Sequence, residues 1–338
     1  MFHIKWLLAL AWLNPWLAFT SLTSQRHIPA TIDLASSVVC ALAASMALVT
    51  LSVGRIDSAV VYAAAAMLAV SRSRGVDNSS TLYYKAGTAY IYAGLIAAAA
   101  IKIYVGGRVG LFGGEPNFST VPIWLYSLIL LRRKYFKTIF ILVCIGAWLT
   151  TSKIYVFTMA MTAGLFYFRK SKTAVAMLAI VICSVVYVVT FLDIAESTLV
   201  TALSSGYTED ISRIFYVFDS SFAERRGLVW GWMEGLSNEP TLIVGVFEPL
   251  QVEGLIVVHN SFLQQAASRG IYLVIILLFL AFRDLPMWLL PPYLFMSFFL
   301  HNVLSVAVLF VITSIWNEEV RKTKLVTLET PQRRAKEH

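Results

Sequence analysis

The chain has 338 residues, 58% of them apolar and 14% charged, with a formal charge of +8 and a mean hydropathy of +0.73. Soluble domains are nearer half apolar and a quarter charged, so this composition is displaced toward the membrane class from both directions. It excludes a soluble enzyme, a disordered chain and a nucleic-acid binder. The positive charge does not reverse this, because Lys and Arg fall in short clusters between long apolar runs.

Crossing hydrocarbon takes about 20 apolar residues, fewer where flanking side chains snorkel. The first apolar segment, residues 6–22, follows Lys5 and ends in small residues as a signal peptide would. The remaining chain also reads as spans, so this segment is expected to be a retained helix. Spans follow at 32–53, 86–105, 174–192 and 262–282, with shorter ones at 58–70, 118–131, 138–149 and 154–168. The run 285–316 is too long for one helix and is interrupted by His301 and Asn302, so it divides in two. The reading is an all-α polytopic membrane protein of about ten to eleven transmembrane helices. Cys40, Cys144 and Cys183 all lie inside apolar runs without polar neighbours at ligand spacing. They read as packing or lipid-facing residues, with no disulfide or metal framework.

Orientation follows from the basic residues in short loops. Arg132, Arg133, Lys134 and Lys137 form one cluster, and Arg169, Lys170 and Lys172 another. Both are expected to be cytoplasmic, together with Arg283, Arg72, Arg74, Lys85 and the basic tail 321–336. That leaves the Gly-rich loop around Arg108, residues 150–153, the His301 turn and the segment 192–262 outside. The same count places Met1 outside, against the weak signal of Lys5.

Residues 193–253 hold ten acids and three bases, Arg213, Arg225 and Arg226, for a formal charge of −7, and the rest of the chain is then +15. A segment this long between two spans reads as an extracytoplasmic domain of short amphipathic helices, and long loops in compact proteins usually carry function. The organisation is therefore an N-terminal transmembrane bundle (1–192), a periplasmic catalytic loop (193–258), C-terminal transmembrane helices (259–316) and a cytoplasmic tail (317–338).

No P-loop, HExxH, nucleophile elbow or metal-binding Asp-x-Asp pair is present. What remains is a series of outward-facing polar sites. In the stretch 106–117, glycines free the backbone amides to turn toward an anion, and Arg108 adds a planar fork of donors. The pair Ser152-Lys153 opens a later span. In the long loop, Arg226 and Trp230 would share one face of a helix over about 222–236, with Arg225 beside them. His259 then precedes Asn260, Gln264 and Ser268, which recur every four residues and put a polar stripe on the entering helix. Such a stripe is costly against lipid and is expected to line a cavity or a protein interface.

This order of elements resembles the O-antigen ligase and Wzy-type polysaccharide polymerase superfamily. The resemblance rests on Arg108 with Glu115, Pro116 and Asn117, on Ser152 and Lys153, on Arg226, Trp230, Pro240 and Gly245, and on His259 and Asn260 with Gly270 closing the helix. It covers residues 106–280. Two departures stand out: Lys153 occupies a position where Arg is more usual, and Val246 replaces the second glycine of the common Gly-x-Gly. Lys is a point charge and does not grip phosphate with two parallel bonds.

The resemblance implies a GT-C-like integral-membrane glycosyltransferase of the bacterial inner membrane, with its active site facing the periplasm. Its donor would be an oligosaccharide on undecaprenyl diphosphate, and its product an exopolysaccharide or O-antigen chain. It implies no cofactor and no metal, with other polysaccharide assembly proteins as partners besides membrane lipid. Arg226 and His259 would be catalytic, and Lys153, Arg108, Arg225 and Asn260 would bind the diphosphate. His259 would orient the diphosphate or take the acceptor proton, with Glu224 and Glu248 as alternative bases. Polymerase is preferred to ligase for the Glu-Pro-Asn element and the compact size. A transporter is the competing class, disfavoured by the large loop and by the lack of a hydropathy repeat.

Overall fold

The computed structural model describes residues 34–70, 77–191, 260–300, 303–313 and 315–316, with Gly231, Glu234 and Gly245 besides. Among these residues every regular element is helical: α1 (Leu34–Ser52), α2 (Ile56–Val70), α3 (Asp77–Val105), α4 (Thr120–Arg132), α5 (Phe136–Thr150), α6 (Lys153–Phe168), α7 (Lys172–Phe191), α8 (Ser261–Arg269), α9 (Ile271–Asp284) and α10 (Leu290–Phe299). Residues 306–313 and 315–316 are helical as well. Among the described residues, two segments are long and apolar enough to cross a membrane, Leu34–Ser52 and Gly87–Val105.

The helices run back and forth between two ends. At one end Arg133 lies over the ring of Tyr84, 4.2 Å from its centroid, and Arg132 donates to the Ile315 carbonyl. The rings of Phe166, Trp288 and Trp316 meet edge to face there, at 5.1 to 6.1 Å. Arg283 ties α9 to α1 and α2, donating to Ser36 Oγ at 3.0 Å and to the Leu68 carbonyl at 3.0 Å while pairing with Asp284. Of the basic residues expected to be cytoplasmic, Arg132, Arg133, Arg169 and Arg283 are at this end, while Arg72, Arg74 and residues 321–336 lie outside the described residues. The opposite end gathers the α1–α2 turn, residues 106–119, the turn 150–153 and the junction of α8 with α9.

Most expected spans match helices within a few residues, and the run 285–316 is divided between Phe299 and residue 306 as its polar interruption implied. The expected single span 262–282 is instead two helices, α8 and α9, broken at Gly270. Gly270 has φ 94° and ψ 158°, a conformation essentially confined to glycine, so the chain turns there despite the apolar continuity around it. The expected stripe is corrected with it. Asn260 is not on a helix face but caps α8, accepting from the amides of Phe262 and Leu263 at 3.0 and 3.1 Å, and Ser268 donates back to the Gln264 carbonyl.

Helix lengths differ within the bundle. From Tyr84 at the basic end α3 runs about 32 Å to Val105, whereas α4, α5 and α6, with 13, 15 and 16 residues, reach only about 20 to 24 Å. The chain after α3 turns back along it: the Phe112 ring packs on Tyr90 at 5.2 Å between centroids. Phe112 also lies so close to Gly94 that a Cβ there would come within 2.9 Å of it. Gly94 is about 16 Å below the end of α3 along the helix, so the segment 106–119 re-enters the bundle.

Candidate functional site

This end of the bundle is built around two turns far apart in sequence. In the first, Gly110 is where the segment closes on itself: a Cβ there would meet the carbonyls of Glu115 and Gly114 and the Ser119 hydroxyl at 2.6 to 2.7 Å. Ser119 Oγ accepts from the Leu111 amide at 2.8 Å. The amides of Gly110, Gly113 and Gly114 all donate to carbonyls of the same loop. These glycines therefore shape the loop and do not offer those amides to an anion, which corrects that part of the sequence reading. In the second turn, α5 ends at Thr151, a non-glycine residue with φ 42°, and α6 begins with Ser152 as its N-cap. Gly146 admits Tyr155, whose hydroxyl donates to the Leu142 carbonyl at 2.7 Å and binds α6 to α5.

Asn117 joins the turns. Its Oδ1 accepts from Arg108 Nη2 at 3.2 Å and from Ser152 Oγ at 2.8 Å, while its Nδ2 donates to Glu115 Oε1 at 2.8 Å. Two donors facing one atom fix that atom as the oxygen. Arg108 Nε also donates to the Thr150 carbonyl at 3.1 Å, and the Val109 amide bonds to the Leu149 carbonyl at 3.0 Å. Glu115 Oε2 accepts from the Phe118 amide at 3.1 Å. Asn117, Ser152 and Lys153 are buried, with Lys153 only 8% exposed as the first residue of α6. Lys153 thus adds a buried cationic residue to the first turn of α6, the positive end of that helix's macrodipole. Lys102 stands at the rim, donating to the Gly107 carbonyl at 2.7 Å and lying 5.4 Å from the Trp148 ring centroid.

Of the residues singled out by sequence, Arg108, Glu115, Asn117, Ser152 and Lys153 are brought together here. Asn260 is at the same end of the bundle but is occupied as a helix cap. Arg226, His259 and Arg225 lie outside the described residues, as do Glu224, Glu248, Trp230 and Pro240. Of the helix expected over about 222–236, Gly231 and Glu234 are described and both are helical. Gly245 is described too, with φ 85° and packed against the Ser268–Arg269 peptide, where a Cβ would come within 2.7 Å. Sequence reasoning missed Thr150 and Thr151, whose backbone holds Arg108 and turns the chain; the only signal was the polar run 150–153 at the end of an apolar helix. Among the described residues no three His, Cys, Asp or Glu side chains gather to hold a metal. Against known proteins, the chain matches no family model, no curated protein and no solved structure.

Proposed function

We propose that this protein is a polytopic inner-membrane glycosyltransferase that polymerises oligosaccharide units carried on undecaprenyl diphosphate. The observation that carries the reading is the convergence of Arg108, Asn117, Ser152 and Lys153 on one largely buried site, opposite the basic end. An inverted surface supports the membrane setting. Leu34, Ile96 and Phe140 are 70 to 82% exposed, whereas Lys153 and Asn117 are buried. Helices of about 20 to 24 Å fall short of a hydrocarbon core of about 30 Å, so the re-entrant segment 106–119 would lie below the membrane surface, lining a cavity as non-helical backbone must.

In this mechanism an acceptor hydroxyl attacks the anomeric carbon, the bond from that carbon to the diphosphate oxygen breaks, and the lipid diphosphate departs with the electron pair. Negative charge grows on the leaving diphosphate. Arg226, Arg108 and Lys153 would stabilise it, Arg108 being held in place by Thr150 and Asn117 before the substrate arrives. The acceptor proton passes to His259, or to Glu224 or Glu248 if His259 instead orients the diphosphate.

The test is transfer by the purified protein from a lipid-diphosphate-linked repeat unit, in excess EDTA. A ladder of lengthening glycans is expected. Transfer that vanishes with EDTA would remove the metal-free mechanism, and no new glycosidic bond under any condition would favour an export component. In cells, loss of the protein should leave single repeat units on their carrier. Accumulation of long chains unattached to lipid A core would make the protein the ligase instead.

A further inference from the structure

The turn that joins α4 to α5 at the basic end carries charge that the mechanism above does not use. Residues 116–192 contain no Asp or Glu, and among the described residues none accepts a hydrogen bond or an ion pair from the side chains of Lys134, Lys137 or Lys170. All three are exposed. The two turns that bear them adjoin: the Phe136 ring lies 6.2 Å from that of Phe166, and the Arg169 guanidinium lies 3.8 Å from the same Phe166 centroid.

Lys134 occupies a position that suits glycine. Its amide donates to the Leu131 carbonyl and the Tyr135 amide to the Leu130 carbonyl, at 3.1 and 3.0 Å, the two bonds that close a helix around a left-handed residue. Lys134 is that residue, with φ 61°. A side chain there costs backbone energy that glycine would avoid, and no contact of its ammonium among the described residues offsets the cost. Along α5, Lys137, Phe140, Ile141 and Cys144 recur at the spacing of one helix face. All are exposed, Phe140 by 70%. Phe136 and Ile145 extend this face, and from one to the other it runs about 14 Å, close to the roughly 15 Å depth of one bilayer leaflet. Ammonium groups joined to an apolar stripe of this length complement a phospholipid with an anionic headgroup. An acidic protein segment would match the charge and leave the stripe unused.

We propose that Lys134 and Lys137, with Lys170 on the adjoining turn, hold the phosphate of one anionic phospholipid whose acyl chain lies along the exposed face of α5. This site depends on the membrane setting proposed above and not on glycan transfer. Lysine suits the task, because its rotatable donors on a long stem follow a mobile headgroup. At a membrane surface each lysine favours anionic over zwitterionic lipid by about fivefold.

Full-length protein in neutral maltoside micelles is titrated with dioleoylphosphatidylglycerol or with dioleoylphosphatidylcholine, and bound lipid is counted by native mass spectrometry. One phosphatidylglycerol should be retained at least about tenfold more tightly than phosphatidylcholine. Lys134→Gly is the decisive variant, because it suits the left-handed backbone. Its melting temperature in micelles should be unchanged or higher, while the preference falls about fivefold. Adding Lys137→Gln should abolish what remains, and Lys134→Arg should keep it. Glycerol phosphate at the same concentrations should not compete, since it lacks the acyl chain. Equal retention of the two lipids, a preference untouched in the double variant, or competition by glycerol phosphate as strong as by the lipid overturns the proposal. So does a preference that emerges only after Glu318→Gln and Glu319→Gln, because the chain's own acids would then hold the patch. No glycan enters the titration, so failure of transfer leaves this site standing, and equal lipid binding leaves the glycosyltransferase reading standing.

Discussion

Arginine performs opposite tasks at the two ends of this molecule. At the basic end the guanidinium groups close the structure: Arg133 stacks on Tyr84, Arg169 lies 3.8 Å from the Phe166 centroid, and Arg283 binds Asp284 while tying α9 to two other helices. At the site end Arg108 donates to the Thr150 carbonyl and to Asn117 Oδ1, two neutral oxygens that position the guanidinium. Residue type alone does not distinguish these two settings; the identity of the partners does.

The sharpest way to break this comparison is to ask whether the two ends face different compartments. In a cysteine-free background, Lys134→Cys at the basic end should be protected from an impermeant thiol reagent in intact cells, and Ser205→Cys in the acidic loop should react fully. Equal labelling would remove the topology and the catalytic-loop model with it. The next largest effects belong to the chemistry. Arg226→Ala, His259→Ala and Arg108→Ala should each lower glycan transfer on the order of 100-fold or more, about 2.7 kcal/mol of transition-state stabilisation, with membrane abundance unchanged. Lys in place of either arginine should restore only part of the rate, because charge survives and the fork does not. Near-normal transfer by all three alanine variants would sink the site assignment.

Arg283→Ala tests the other half of the comparison. It removes three inter-helix bonds and the pairing of Arg283 with Asp284, so thermal stability should fall by an amount on the order of 2 kcal/mol. The remaining folded protein should transfer at the normal rate per molecule. A rate loss without a fall in melting temperature would show that the basic end is part of the active machinery.

Much of the fold was legible because apolar runs bounded by charge define helices whatever they pack against, and the bounds of α1, α2 and α5 to α7 lie close to those read from the sequence. The break at Gly270 was hidden, since one glycine in an apolar run is compatible with a continuous helix until its backbone angles are known. The site residues were legible singly: Arg108, Asn117, Ser152 and Lys153 each stood out as polar groups beside spans. Their assembly was not, because the Ser152–Asn117 bond crosses 35 positions, and nothing local marks Asn117 as the acceptor. The bonds of Arg55 to the Ser268 carbonyl and of Tyr62 to the Arg269 carbonyl went unread for the same reason at greater range, spanning 213 and 207 positions.

The smallest expected effects probe how the two turns support Arg108. Asn117→Asp preserves shape and keeps an oxygen for both Arg108 and Ser152, but it places a negative charge against the guanidinium and removes the amide that donates to Glu115 at 2.8 Å. The new carboxylate competes with the diphosphate for Arg108 and repels Glu115, so transfer should fall about tenfold, chiefly through a higher KM for the lipid-linked donor. Ser152→Ala removes the donor to Asn117 and the N-cap of α6, whose hydroxyl accepts from the Tyr155 amide at 3.4 Å. That is worth about 1 kcal/mol of stability and should change transfer only a few-fold. The two substitutions act on one oxygen, so in a double-mutant cycle their effects on transfer should couple by about 0.5 kcal/mol or more. Strict additivity would mean that Asn117 does not join the turns, and a KM unchanged in Asn117→Asp would mean that Arg108 does not meet the diphosphate.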